Sequence, residues 1–342
     1  MKIDILCNDG SPLGVSVKTL YGDDPHQIGV GGAEYALLTM CEEWTKAGHE
    51  VVLYNNSRYN DDIFEHRNLN AFVPKDDRDV LIIFRSPNLM VSISKGKKVW
   101  WSCDQFTVGN FSKFSALVDQ TVVISPFHAD YFSRVYHINN ATIIDLPVRV
   151  NDFIGRNVER EYNRILFSSI PDRGLHILQP IWLEVKRQIK GVSLIITSDY
   201  RLWGGSQNNE RHRIHWMPER DSVQFLGAVK RPRLIEEELK ADLLVYPCVY
   251  DELFCVSCAE AEVAGAYSIT SDKGALSTTN LGTLIVGDPQ RNINSYVEEI
   301  VLLLNNRELL ENLRGELQKQ AIERFSPNRI INEWDTKVFY NV

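Results

Sequence analysis

Glu252 and Glu260 flank seven uncharged residues in the stretch Tyr250–Gly265, YDELFCVSCAEAEVAG, directly after the apolar run ADLLVYP. A strand, a short loop and a glycine-closed helical stretch place the free N–H groups of a helix start above the strand's carboxyl end, which suits a phosphate. If the helix begins near Phe254 or Cys255, Glu252 precedes it and Glu260 stands about two turns in. The two carboxylates could then hold opposite ends of one phosphate-linked ligand. A second turn of this type is Gly29-Val30-Gly31-Gly32, with Glu34 in the first turn of the helix that follows. An acid at 34 replaces the third glycine of a dinucleotide fingerprint, which argues against nicotinamide or flavin. Taken alone, that turn has a tight strand-to-helix connection with no ligand as its lesser alternative. Cys255 and Cys258 have CxxC spacing, but no second pair lies at a zinc-site distance, so they read as small packing residues.

The elements that position these residues alternate. MKIDILC is a strand pattern, and a polar, glycine-bearing loop runs from Asn8 to Gln27. The glycine turn then opens a helix with Ala36, Leu37, Met40 and Trp44 at helical spacing, Gly48 ends it, and EVVLYN is the next strand. DVLIIF, KKVWW, TVVIS and ATIIDLP follow as strands, the last ending at Pro147. Residues from about Val150 to Asn163 lack periodicity and suit a linker. A second series begins with RILFSS and continues through VSLIITS, VQFLG, DLLVYP, AYSITS and LGTLIVGD, with helices at LHILQPIWLEVKRQI and RPRLIEEELKA. The tail from Asn292 is helical and broken near Ser326 and Pro327. The expected fold is α/β, two Rossmann-like doubly wound domains facing across a cleft, with domains at 1–150, 151–325 and a closing helix at 326–342 that crosses back to the first.

At 342 residues the chain can bury two cores, and 44% hydrophobic with 24% charged residues is an ordinary globular balance. A net charge of −8 gives no general attraction to nucleic acid or anionic lipid. No apolar run approaches a membrane span, so any membrane contact is expected to be peripheral. Six scattered cysteines without a secretory leader read as reduced thiols in a cytoplasmic setting.

GGAEYALLTMCEEWTKAGHEVVLYN resembles the amino-terminal signature of the family-4 retaining glycosyltransferases, nucleotide-sugar-dependent enzymes of the GT-B fold. SSIPDRGLHIL is similar to that family's phosphate-contact segment, VQFLGAVKRPRL to its base-contact segment, and VYPCVYDELFCVSCAEAEVAG to its E-x7-E stretch. SDKGAL and TVVISPFHADYF resemble further segments, in the family's order, over nearly the whole chain.

The resemblance implies a catalytic set of Glu252, Arg173 and Asp104. Arg173 would stabilise charge on the leaving diphosphate with helix-start amides and no metal. It stands where relatives often carry a lysine, and Ser168 stands where they often carry an arginine, so one cation is missing. Glu252 would accept from the sugar hydroxyls and Glu260 from the ribose hydroxyls. Gly31, Gly32, Ser169, Gly227, Lys230, Leu234, Phe254, Cys255 and Val256 complete the expected donor-binding set, with the 227–230 backbone facing the base. Relatives commonly carry a histidine where Cys103 stands, which leaves Asp104 either to orient hydroxyls or to cap its loop. Glu262 and Glu236 to Glu238 are expected on solvated faces, and His128, Trp100, Trp101 and Trp216 in structural roles.

The expected activity is retaining transfer of a hexose from a nucleotide diphosphate sugar to a glycan, lipid or other acceptor, with no cofactor beyond that donor. GDP-mannose and UDP-glucose are the first guesses. A glycosidase pair is rejected, because the two acids would sit at opposite ends of the donor rather than flank one bond. A nucleotide-sugar epimerase of the same fold and a non-catalytic nucleotide-sugar-binding protein are the alternatives.

Overall fold

The computed structural model describes residues 1–7, 14–24, 29–60, 63–203 and 210–340. The chain divides into two compact units, one of residues 1–24, 30–147 and 327–342, the other of residues 25–29 and 148–326.

In the first unit, β1 (Lys2–Leu6) leads to α1 (Val17–Tyr21) and α2 (Gly32–Lys46). Then come β2 (Glu50–Tyr54), β3 (Glu65–Arg67), β4 (Val80–Phe84), β5 (Lys97–Trp101), α3 (Phe111–Ser115), β6 (Gln120–Val123), α4 (Pro126–Tyr136) and β7 (Thr142–Ile143). Among the described residues the strands form one parallel sheet in the order β3-β2-β1-β4-β5-β6-β7. β4, VLIIF, is buried at every position, the continuous apolar run that a strand covered on both faces requires. The chain leaves β1 toward β2 on one side and returns to β4 on the other, so a switch point lies at the carboxyl ends of β1 and β4.

In the second unit the order is β8 (Arg164–Phe167), α5 (Leu175–Gln188), β9 (Ser193–Ile196), α6 (Glu210–Trp216), β10 (Val223–Phe225), α7 (Arg231–Lys240) and β11 (Leu243–Tyr246). α8 (Val256–Val263), β12 (Tyr267–Ser271), α9 (Leu276–Thr279), β13 (Thr283–Ile285), α10 (Ile293–Asn305) and α11 (Arg307–Phe325) follow. The parallel sheet runs β10-β9-β8-β11-β12-β13, with its switch point at the carboxyl ends of β8 and β11. The break after α11 falls at Ser326, and α12 (Pro327–Trp334) belongs to the first unit. There the Trp334 ring meets Trp44 at 5.1 Å and Trp101 at 5.2 Å, edge to face.

Several expectations need correction. The Asn8–Gln27 segment is not all loop: it contains α1, while its residues 8–13 and 25–27 lie outside the described residues. ATIIDLP contributes only the two residues of β7. β3 and α6 went unread because EHR and ERHRIHW are too polar and short to carry a period. Glu237, Glu238 and Glu262 are fully buried rather than solvated, and only Glu236 of that run stays half-exposed. Three successive helical residues sweep too wide an arc to share one face. Two of the acids therefore turn inward, where Arg164 on β8 and Arg233 pair with Glu237.

Candidate active site

β8 and β11 neighbour each other in the sheet, so the loops that leave their carboxyl ends meet. Arg173 ends the short 3-10 turn Pro171–Arg173 after β8, and Glu252 lies in the loop after β11. Arg173 Nη1 stands 2.9 Å from Glu252 Oε1, and the guanidinium lies 3.5 Å over the Tyr250 ring. The neighbouring Asp172 is engaged elsewhere, accepting from the Tyr200 hydroxyl at 2.8 Å. Burial is the largest single influence and works against the Arg173 charge, but the Glu252 carboxylate together with Tyr246, Cys248 and Tyr250 outweighs it, and the arginine is held more firmly protonated than usual.

Glu252 Oε1 also accepts from the Tyr246 hydroxyl at 2.6 Å, with the Cys248 sulfur 3.9 Å away. Tyr246 in turn meets Ser169 Oγ at 3.1 Å. Burial, then the Glu252 charge, pushes the Tyr246 hydroxyl far up and the Cys248 thiol to about 12, so both keep their protons. All of these contacts fall on Oε1, which leaves Oε2 for a ligand hydroxyl.

Two glycines make this meeting possible. A Cβ on Gly174 would stand 2.1 Å from the Pro247 carbonyl oxygen, and one on Gly274 would stand 2.3 Å from the Glu252 carbonyl oxygen. The second contact belongs to a parallel bridge between Glu252 and Gly274, reinforced by Ala275 N–H donating to Glu252 O at 2.7 Å. The SDKGAL loop therefore clamps the backbone of the candidate sugar-binding acid.

The helix beyond Glu252 starts at Val256, slightly later than expected. Cys255 is its N-cap at φ 79°, and Phe254 is buried edge-on against Phe325 at 5.7 Å. Glu260 is buried on α8, where both its oxygens take the fork of Arg231, with Nη1 to Oε2 at 2.9 Å and Nη2 to Oε1. Arg231 is the first residue of α7, directly after Lys230, the exposed N-cap residue. Gly227, Lys230 and the half-buried Leu234 lie together around the start of α7, and Asp199 after β9 accepts from Ala228 N–H at 3.3 Å. Glu262 is held by the Ser268 hydroxyl at 2.5 Å and Leu281 N–H at 2.8 Å, and burial raises its carboxyl to about 7.

In the first unit Gly31 is the N-cap of α2 and Glu34 lies in its first turn. Phe84 pairs with Trp101 in register, so Arg85 and Asp104 leave the same carboxyl edge. Arg85 Nε donates to Asp104 Oδ2 at 2.6 Å and Nη1 to Glu34 Oε1 at 2.5 Å. Its carbonyl accepts from the Trp100 indole at 2.7 Å, and its backbone has φ 63°. Asp104 is thus an ion-paired acid. His128 is fully buried at 4.4 Å from the Phe132 ring, its backbone N–H capped by Ser125 at 3.0 Å. Burial lowers its imidazole to about 3, against a small upward pull from the Asp104 carbonyl. Among the described residues no group of three His, Cys, Asp or Glu side chains is arranged to hold a metal ion. No described helix is long and apolar enough to cross a membrane.

Residues 184–323 match the family model described as glycosyl transferases group 1. That segment belongs to the group 1 glycosyl transferases. The fold of the whole chain is GT-B. Sucrose-phosphate synthase from Thermosynechococcus elongatus superposes with TM-score 0.74 at 16% identity, over 100% of both chains. A glycosyltransferase from Rickettsia africae gives 0.73 at 14%, over 100% of this chain and 99% of the other. Anabaena HepE, solved in complex with UDP and glucose, gives 0.71 at 14%, over 99% of both. Comparison with curated proteins gives no match.

Within residues 184–323 the expected set holds Glu252 and Glu260 but not the residues the fold pairs with them, Tyr246 and Arg231. Tyr246 reads as one more apolar strand residue, and Arg231 as one more cation in KRPR. Outside that segment the expected set also lacks Arg85, although an arginine closing the apolar strand DVLIIF is a legible signal.

Proposed function

We propose that this protein is a family-4 retaining glycosyltransferase that moves a hexose from a nucleotide diphosphate sugar to a glycan, lipid or other acceptor without a metal. The observation that carries this reading is the Arg173–Glu252 pair at 2.9 Å over the switch point of the second sheet. It joins the one buried cation of the phosphate-type turn to the acid of the E-x7-E stretch.

Arg173 presents its planar guanidinium to the diphosphate, where charge grows as the bond to the sugar breaks. Glu252, with Oε1 fixed by Arg173 and Tyr246, presents Oε2 to the sugar hydroxyls. The acceptor oxygen attacks the anomeric carbon from the face the phosphate leaves. The bond from that carbon to the phosphate oxygen breaks, and the acceptor proton passes to that same oxygen. Cys248 and Tyr246 hold their protons and take none from the acceptor. Asp104, anchored by Arg85 at the carboxyl edge of the first sheet, orients acceptor or donor hydroxyls. Uridine or guanosine diphosphate donors carrying glucose or mannose are the first to try against the stretch around Gly227–Lys230, and the Anabaena protein solved with UDP and glucose supports starting with the uridine donor.

The test is to incubate the purified protein with UDP-glucose and with GDP-mannose, together with a panel of glycan and lipid acceptors. Product configuration is read by NMR. An α-linked product with nucleotide release, undiminished by EDTA, is expected. An inverted product, or activity lost on chelation and restored by magnesium or manganese, overturns the reading.

A further inference from the structure

Glu260 shares its surroundings with a second buried acid that none of the roles above uses. Glu238, on α7, is fully buried, and neither of its carboxyl oxygens has a hydrogen-bond partner among the described residues. α7 packs against α8 and β8. We propose that Arg231 and Glu238 are positioning residues for the donor, Arg231 fixing Glu260 toward the ribose and Glu238 standing as a spare acid able to compete for the Arg231 fork.

This inference rests on the nucleotide-sugar reading and adds two residues to it. A carboxylate has about four lone-pair sites, and a bidentate guanidinium uses two of them. The remaining two suit the adjacent hydroxyls of a ribose. Arg231 thus fixes the plane of the Glu260 carboxylate without filling it.

Arg231 and Glu238 stand two turns apart on one face of α7, which packs on the helix that carries Glu260, and two buried carboxylates served by one guanidinium cannot both ionise at low cost. Arg231 grips Glu260, so Glu238 holds the proton. Its carboxyl is raised well above the ordinary range, by burial first and then by the Glu260 charge, with Arg231 opposing. The other charged groups nearby are matched elsewhere. Arg164 on β8 pairs with Glu161 and Glu237, Arg233 with Glu236 and Glu237, and Lys240 with Glu236. Glu262 on α8 is held by Ser268 and Leu281 N–H. When Glu238 ionises at alkaline pH, it repels Glu260 and draws Arg231 away, so donor affinity falls as pH rises.

The experiment measures donor KM and kcat for UDP-glucose and GDP-mannose from about pH 7 to about pH 10. Arg231→Gln should raise donor KM roughly tenfold or more with a smaller change in kcat, and Arg231→Lys, which keeps charge but loses the fork, should fall between. In the wild type donor KM should climb on the alkaline side. Glu238→Gln, which keeps the shape of the neutral acid but cannot ionise, should abolish that climb. An unchanged KM in a folded Arg231→Gln protein overturns the proposal, as does an alkaline climb that persists in Glu238→Gln. Failure of the wild type to turn over either donor would instead strike the nucleotide-sugar reading itself, and both would then fall together.

Discussion

Arg173 Nη1 lies 2.9 Å from Glu252 Oε1, and the two residues arrive from the carboxyl ends of β8 and β11, neighbours in the sheet though far apart in the chain. The cation and the acid balance each other's charge. A diphosphate sugar offers each a better match, phosphate oxygens for the guanidinium and hydroxyls for the carboxylate. Glu252→Gln and Arg173→Ala should therefore each cut transfer by roughly 10²–10³-fold. Circular dichroism should show both variants folded, and near wild-type turnover in either would remove it from the catalytic set.

Gly174→Ala should be costly although it adds one methyl. At φ 114° the left-handed backbone disfavours any side chain, and the new Cβ would stand 2.1 Å from the Pro247 carbonyl oxygen. About 2–4 kcal/mol of lost stability is expected from strain and overpacking together. Urea unfolding measures it. A loss below about 1 kcal/mol would mean that the loop carrying Arg173 can retreat from β11 freely.

Arg85→Met should uncouple Glu34 from Asp104 at the first unit's switch point. The two acids, held at 2.5 Å and 2.6 Å from one guanidinium, would be left without its charge. Turnover should fall about tenfold or more, with stability reduced by about 1–3 kcal/mol. A stability loss with no change in the activity of the folded protein would reduce Arg85 to a structural tie.

His128 sets an acid limit on stability. Burial holds its imidazole near 3 in the folded chain, while an unfolded histidine titrates near its ordinary value of about 6.5. Below that value the unfolded chain binds a proton that the folded chain refuses, so stability is full above about pH 6.5 and falls as pH drops toward 3. The slope approaches about 1.4 kcal/mol per pH unit. Urea unfolding at pH 5 and pH 7 should show the wild type losing more stability on acidification than His128→Gln does, since the raised Glu262 carboxyl acts alike in both, provided that variant folds.

Cys248 should resist alkylation. Its thiol, pushed up to about 12 by burial and then by the Glu252 charge, carries almost no thiolate at pH 8. Labelling of the folded protein with iodoacetamide, mapped by mass spectrometry, should leave Cys248 unmodified until denaturant is added. Rapid modification under native conditions would show that the loop after β11 opens.

The alternation of buried apolar runs with helical stretches is written in local sequence, because a strand covered on both faces must be apolar throughout and a helix must repeat its apolar positions. That was enough to read two parallel sheets and to pick Glu252, Glu260 and Arg173, since phosphate-type turns and spaced acids are local patterns too. EHR and ERHRIHW escaped because short polar elements owe their form to neighbours rather than to periodicity. The partners were decided only in three dimensions. Sheet order brings Arg173 to Glu252 and Arg85 to Glu34 and Asp104, and helix packing brings Arg231 to Glu260. The same packing buried Glu237, Glu238 and Glu262, which local reading had placed in solvent. A charge looks alike in sequence whether water or a guanidinium compensates it, and only the fold supplies the guanidinium.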